Sequence, residues 1–462
     1  LVSLHEICKQ HGEVVYLDVF GQPTIIIDSY DAAVAILEKR SANTSDRPHF
    51  VMGDLVGLTF QFALKGYSDS WRQGRRLFHS YFHQGVVSQF RPIHLRQARR
   101  LLNKLLDDPA HFLRHCQHYV AGSIMDTVYG IEIEDEDDKF INILERGSEI
   151  FGEVMAPGQY VVELFPSLAR LPSWFPGAGF KKKVPMWRDV ITAVRTVAYD
   201  AACAAIARGD ARPSVTSSLI DQAIRDNGAV SAEDEELYKD VTALAYAGKY
   251  SHTFTTLAAF ILAMLTHPDV QCKAQAEIDR IVGPDQLPDF SHRESLPYVN
   301  AVMKECSRWH TVLLLGIPHR AIEADQFKGY LLPAGSVLIA NAWAMSHDPV
   351  AHPEPDKFIP ERFLKDGKID LTVRDPLSFQ FGFGRRMCPG MPFSQESLFI
   401  AITSILHALD IKAPAGADES LNSILTESKT PSSNFLSHPD AFECDITPRS
   451  NVAASHIRQM RV

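Results

Sequence analysis

One cysteine of this chain stands where a metal-binding thiolate can be made. The run Phe381-Gly-Phe-Gly-Arg-Arg-Met-Cys388-Pro-Gly390 sets Cys388 on a loop punctuated by Gly382, Gly384 and Gly390. Beyond it Leu398, Ile402, Ile405 and Leu409 recur at helical period, which predicts a helix over 391–409 whose unpaired first amides point at the sulfur. Such amides favour the thiolate over the thiol. The three glycines can adopt backbone angles that a Cβ forbids and allow the main chain to approach a flat ligand, while Pro389 suits a first helical position. This is a place for an iron-bound thiolate, the haem ligand whose electron donation favours O–O cleavage.

Other residues of chemical interest lie far from the loop in sequence. Trp71 and Arg75, four apart, put an indole donor and a guanidinium on one helical face. Glu305 and Arg308, three apart in a helical stretch, can pair across one turn.

The elements that must position them are mostly helical. Helical period marks 31–39, 87–106, 184–207 and 268–282, and the longest pattern, 231–266, opens on the capping box Ser231-x-x-Asp234 and stops before Pro268. That helix is apolar over much of its circumference, so it should cross the centre of the molecule. Two hairpins are expected, 14–20 with 23–27 around Gly21-Gln22, and 330–332 with 336–340 around Pro333-Ala334-Gly335.

Of the 462 residues, 45% are apolar and 22% charged, and no linker, repeat or low-complexity tract divides them, so one folded unit over 1–462 is expected. A net charge of −10 with no basic stripe argues against nucleic acid as a partner. Cysteines 8, 116, 203, 272, 306, 388 and 444 are scattered without close pairs, as in a reducing compartment. The longest apolar run, 255–265, is too short to cross a bilayer.

The loop resembles the haem-binding segment of the cytochrome P-450 superfamily, Phe-x-x-Gly-x-Arg-x-Cys-x-Gly, and matches it at Phe381, Gly384, Arg386, Cys388 and Gly390. The resemblance extends over nearly the whole chain and is closest to fungal, basidiomycete-like members. It implies a mainly α fold with small β-sheets, a long central helix over a buried haem b, and Cys388 as the iron ligand. Phe381, Gly382 and Gly390 would shape the loop, and Arg386, Trp71, Arg75 and His319 would seat the propionates. Glu305 and Arg308 resemble the family's Glu-x-x-Arg pair, joined by Arg362 of Pro360-Glu361-Arg362-Phe363. Also implied are an NADPH-fed reductase docking on a positive proximal face formed by Arg72, Arg76, Lys304 and Arg385, and an N-terminal membrane anchor. The chain, opening on Leu1, is expected to begin downstream of that anchor, with the full-length protein on the cytosolic side of the endoplasmic reticulum membrane.

One departure bears on the chemistry. Where relatives carry an acid followed by Thr-Thr in the central helix, this chain has Ser251, His252 and Thr253. Two outcomes follow. His252 can donate and accept near neutral pH and, with Ser251 and Thr253, can take over the handling of protons. Alternatively, the protein is a haem-thiolate catalyst without reductive use of dioxygen, working with peroxide or by rearrangement, dehydration or cyclisation. A packing role for His252, and a haem-binding protein without turnover, are the remaining alternatives. The segments that cover the distal face in relatives offer Phe60, Phe62, Tyr246, Tyr250, Val312, Leu313, Leu314 and Ser432, a lining for a small lipophilic metabolite.

Overall fold

The computed structural model of the chain describes residues 2–133, 138–156, 158–175, 177–284, 286–414 and 435–459. Among these residues helices dominate, accompanied by one four-stranded and three two-stranded sheets. The central helix, Ala232–Thr266, starts where the cap predicts. The Ser231 hydroxyl accepts from the Asp234 amide at 3.0 Å and donates to the Asp234 carboxylate at 2.7 Å, a side-chain bond in place of the reciprocal backbone bond of a capping box. The helix ends as His267 closes on Ala263, and Pro268, which has no N–H to contribute, opens the next helix, Pro268–Ile281. Each residue from 257 to 264 is almost wholly buried, so this half of the helix runs through the core.

Around it lie the helices that carry the chemistry. Asp69–Phe82, capped by Ser68, bears Trp71 and Arg75; Pro297–Trp309 bears Glu305 and Arg308; Met391–Ala408 follows Cys388. Val184–Arg208 is long and apolar enough to cross a membrane by composition, although the longest uninterrupted apolar run in the sequence is not. Its Trp187, Ile191, Val194, Ala198, Tyr199 and Ala202 are buried, and it packs on Lys139–Met155 and the central helix.

Two hairpin expectations are corrected. In the first, Val14–Val19 pairs with Gln22–Ile27 and the turn is Phe20-Gly21, one residue earlier than expected. Both turn residues have positive φ, 53° and 85°, the signature of the twist-matching two-residue turn. In the second, Tyr330–Leu332 pairs with Asp325–Phe327 instead of 336–340. Lys328 and Gly329, at φ 47° and 86°, make the same kind of tight turn on the other side of the strand. Val337–Ala340 is thereby released to join Gln22–Ile27 in parallel, with His319–Arg320 on its far edge, so His319 is fixed by a sheet that includes the N-terminal hairpin.

Three histidines, His310 and His352 buried and His347 half-buried, make the fold sensitive to acid. Burial lowers His310 and His347 from 6.5 to about 4, and His352, beside Arg308 and Arg362, to about 3. An unfolded chain takes up these protons below pH 6.5 whereas the folded chain does not, so stability rises with pH through this window and falls as pH drops from 6.5 toward 4. Each group contributes on the order of 1.4 kcal/mol per pH unit once the unfolded histidine is charged. Urea unfolding at pH 7 and pH 5 should show a clearly lower midpoint at pH 5.

Candidate functional site

The loop before Met391–Ala408 is held closed by its own backbone. The Cys388 amide donates to the Phe381 carbonyl at 2.7 Å, Gly382 has φ +83° and Gly384 φ +52°. Gly384 has no room for a side chain, since a Cβ there would lie 2.7 Å from the Leu37 carbonyl oxygen. Gly390 differs from the expectation. It caps the helix at φ −88°, an ordinary angle, and a Cβ would make only ordinary contacts, with Cys388 Sγ at 3.9 Å and Phe78 at 4.0 Å. Pro389 also sits differently, in the turn before the helix, and Pro392 occupies the first helical turn instead. The Gly384→Ala variant should lose haem and about 1–3 kcal/mol of stability, because it adds strain to a positive-φ position and drives a methyl into fixed backbone; haem content per protein and a denaturation curve check this.

Cys388 opens into a cavity below the molecular surface. Burial pushes its thiol up, against the Gly390 and Met391 amides that bond to the sulfur and the nearby Arg75 charge. A metal cation at the sulfur would overturn that balance and hold the thiolate.

The same cavity gathers cations without an ion-pair partner among the described residues, Asp46 being the acid that acts on Arg47 and Arg386. Arg47, Arg75 and Arg386 all line it, and none has a carboxylate within ion-pair distance among the described residues. Arg386 donates to the carbonyls of Ser45, Phe62 and Lys65 and lies 4.4 Å over the Trp71 ring. Arg47 donates to the carbonyls of Ala63, Ile317 and Pro318. Desolvation lowers all three guanidiniums, Arg47 well below its usual value and Arg386 to about 10, with mutual repulsion between Arg47 and Arg386 adding to the effect on Arg47. Buried charges are ordinarily paired, so this arrangement fits an anionic ligand with more than one carboxylate. A haem with its two propionates meets that demand, with Cys388 available to its iron. Arg47 was not singled out from the sequence, where Ser-Asp-Arg-Pro carries no signal of its own.

His319 also lines the cavity. Its Nδ1 donates to the Thr44 carbonyl at 2.8 Å, which leaves Nε2 as an acceptor; burial and Arg47 hold its pKa well below 6.5. It can therefore donate to a carboxylate only after taking up a proton.

On the central helix, His252 and Thr253 face the cavity. The His252 ring lies 4.4 Å from the Phe381 ring, and both of its nitrogens are buried without a hydrogen-bond partner among the described residues. Desolvation lowers its pKa to about 4, so it is neutral at physiological pH. Thr253 shares a 2.9 Å hydroxyl–hydroxyl bond with Ser394, tying the central helix to the helix after Cys388. The side chains of Ser251 and Tyr250, and all of Ser432, lie outside the described residues.

Phe60, Phe62, Val312 and Leu313 line the cavity together with Phe151 and Leu436. Tyr246 and Leu314 do not. Tyr246 is a core residue whose hydroxyl donates to the Phe140 carbonyl, and buried Leu314 accepts from the Trp343 amide outside the lining. Of the expected positive proximal patch, Arg72 pairs with Asp69 and Lys304 with Asp375, whereas Arg385 donates to the neutral Tyr67 hydroxyl at 2.6 Å and neither it nor Arg76 has an ion-pair partner among the described residues.

Away from the cavity, Glu305 and Arg308 are fully buried and joined by two 2.8 Å bonds. Arg362 reaches Glu305 at 3.2 Å, and the Ile359 amide donates to the same carboxylate at 2.8 Å.

A cysteine facing a cavity from a glycine loop before a helix, with arginines around the same space that lack ion-pair partners among the described residues, fits a haem-thiolate site. The Cytochrome P-450 family model matches residues 1–436, and the chain belongs to that family. It is 39% identical to a cytochrome P-450 monooxygenase of Armillaria gallica over 97% of this chain and 87% of that one. It is 35% identical to tryptamine 4-monooxygenase of Psilocybe cyanescens over 95% and 86%. A zebra fish cytochrome P-450 structure with abiraterone superposes with a TM-score of 0.74 at 22% identity, covering 97% of this chain and 99% of the other, which shows the same fold. The protein is a monooxygenase-type oxidoreductase of fungal kinship whose family cofactor is haem-thiolate.

Proposed function

We propose that the chain, as one domain over 1–462, hydroxylates a small lipophilic secondary metabolite with dioxygen and electrons passed from NADPH by a reductase. The carrying observation is the pairing of Cys388, facing the cavity from just before a helix, with three arginines around the same space that have no ion-pair partner among the described residues. Bound there, haem b supplies reductive activation of dioxygen. Cys388 ligates the iron; Arg47, Arg75 and Arg386 hold the propionates, with His319 and the Trp71 indole beside them. Phe60, Phe62, Phe151, Val312, Leu313 and Leu436 exclude water and favour an apolar, ring-sized substrate. One relative is named for tryptamine, an aromatic amine, and this aromatic wall suits molecules of that size. His252, neutral and without a partner, can hold a proton on one ring nitrogen and accept one on the other, in the position of the family's alcohol. The endoplasmic reticulum, on its cytosolic face, is the compartment in which such a reductase is met.

A second reading is favoured by the Thr253 hydroxyl being engaged by Ser394 and by Ser251-His252 replacing the usual acid and alcohol. In it the site works without reductive dioxygen activation, as a peroxygenase or a catalyst of rearrangement, dehydration or cyclisation. Turnover under 18O-labelled dioxygen separates the two. The proposal expects label in the product when NADPH and reductase are supplied, and a product formed equally well with peroxide alone, carrying no label from dioxygen, supports the second reading.

A further inference from the structure

The three carbonyls that hold Arg386 belong to one stretch of chain, at Ser45, Phe62 and Lys65. Where that stretch lies therefore decides where the guanidinium lies. Its last member is also tied to the central helix. The Lys65 carbonyl accepts from Arg386 at 2.8 Å, while the Lys65 ammonium donates to the Asp240 carboxylate at 3.2 Å. The other oxygen of that carboxylate accepts from Arg195 Nε at 2.8 Å, and Arg195 sits on Val184–Arg208, the helix whose Ile191 and Val194 line the cavity. One carboxylate thus joins three elements, with both of its oxygens engaged. The Asp240 side chain is 16% exposed and that of Lys65 25%, so solvent screens this junction less than it would an open surface pair. Without the carboxylate, two cations would face each other across the space it now fills, and their repulsion would push the Lys65 stretch off the central helix.

We infer that Asp240 is a positioning residue for the haem: through Lys65 it fixes the carbonyl that aims Arg386, and so sets how firmly that guanidinium meets a propionate. The inference rests on the haem-thiolate reading above and extends it to a residue outside the cavity lining. A guanidinium held against a propionate compensates its charge. When that contact loosens, the uncompensated carboxylate favours ferric over ferrous iron, and the midpoint potential falls. Because Arg195 shares the same carboxylate, the cavity wall at Ile191 and Val194 and the propionate seat are held in one register.

Holoenzyme carrying Asp240→Asn, Lys65→Met or Lys65→Arg tests the inference. Haem transfer from the ferric protein to apomyoglobin should be about tenfold faster in the first two, the lower end of what outer partners contribute around a metal site, and parent-like in Lys65→Arg, which keeps the tie. The double variant Asp240→Asn/Lys65→Met should lose haem no faster than either single one, since both cut the same link. The midpoint potential should fall in both single variants. That shared sign is decisive, because as bare charges the two act oppositely: loss of the carboxylate favours ferrous iron and loss of the ammonium favours ferric. Opposite shifts in potential, additive haem loss in the double variant, or retention and potential equal to the parent's in both single variants overturns the inference. Lys65→Met leaves Asp240 paired with Arg195, so it carries the test should Asp240→Asn fail to fold. The ferrous carbon monoxide spectrum of the parent is recorded alongside. Its lack of a thiolate band would strike the haem-thiolate reading, whereas a thiolate band with unaltered variants strikes this inference alone.

Discussion

Cys388→Ala should lose at least about a thousandfold in reductase-supported turnover, equivalent to roughly 4 kcal/mol of barrier, while the apoprotein stays folded. The loss is large because Cys388 supplies the only sulfur among the described residues lining the cavity, and alanine can neither ligate iron nor donate electron density to it. The fold should tolerate the change. Cys388 opens into the cavity and anchors the loop through its backbone amide on Phe381, a bond alanine keeps. Product formation per haem and far-ultraviolet circular dichroism, measured together on the purified variant, separate the two effects. Near-normal turnover in the haem-loaded variant would show that the sulfur is not the working ligand.

Glu305→Ala is expected to cost about 3–5 kcal/mol of stability, the range for removing one partner of a fully buried ion pair. Glu305 and Arg308 are both wholly buried, and the Glu305 carboxylate accepts from Arg308 twice, from Arg362 and from the Ile359 amide. Without it, Arg308 keeps only its carbonyl partners at Ser346, Pro355 and Lys357, and a buried guanidinium is left with no counter-charge. The Glu305→Gln variant fills the same space without the charge and should recover only part of the loss. Because the triad lies outside the cavity lining, the denaturant midpoint should fall in both variants, with haem loss following unfolding rather than preceding it. An alanine variant as stable as the parent would mean that the pair is offset by its own desolvation.

What the residues disclosed in advance followed from how local each signal was. The thiolate loop and the Glu305–Arg308 pair were legible because the relevant groups are close in sequence, where a fixed spacing translates directly into a shared turn or helix face. The central helix was legible from its cap and from Pro268. Arg47 was not, since its place in the cavity depends on strand His319–Arg320 and the Cys388 loop coming together from distant parts of the chain. Tyr246 was misplaced for the converse reason: a helix apolar over most of its surface does not announce which side faces a cavity, and the Phe140 carbonyl that takes its hydroxyl lies on another helix. The second hairpin was mispaired because two turn signals, Lys328-Gly329 and Pro333-Ala334-Gly335, flank the same short strand, and only the positive-φ pair has the twist of a two-residue turn. Pro389 looked like a helix start, yet the helix begins later, where the amides of Gly390 and Met391 are left free to meet the sulfur.

An anionic Cys388 bound to haem iron is what the proposed chemistry depends on. The most direct measurement is the optical spectrum of freshly prepared, fully haem-loaded protein, reduced and exposed to carbon monoxide. A Soret band displaced far to the red, as a thiolate opposite carbon monoxide produces, is the predicted result. A band at the unshifted position of a neutral axial ligand, in a sample whose haem is intact and stoichiometric, would contradict it.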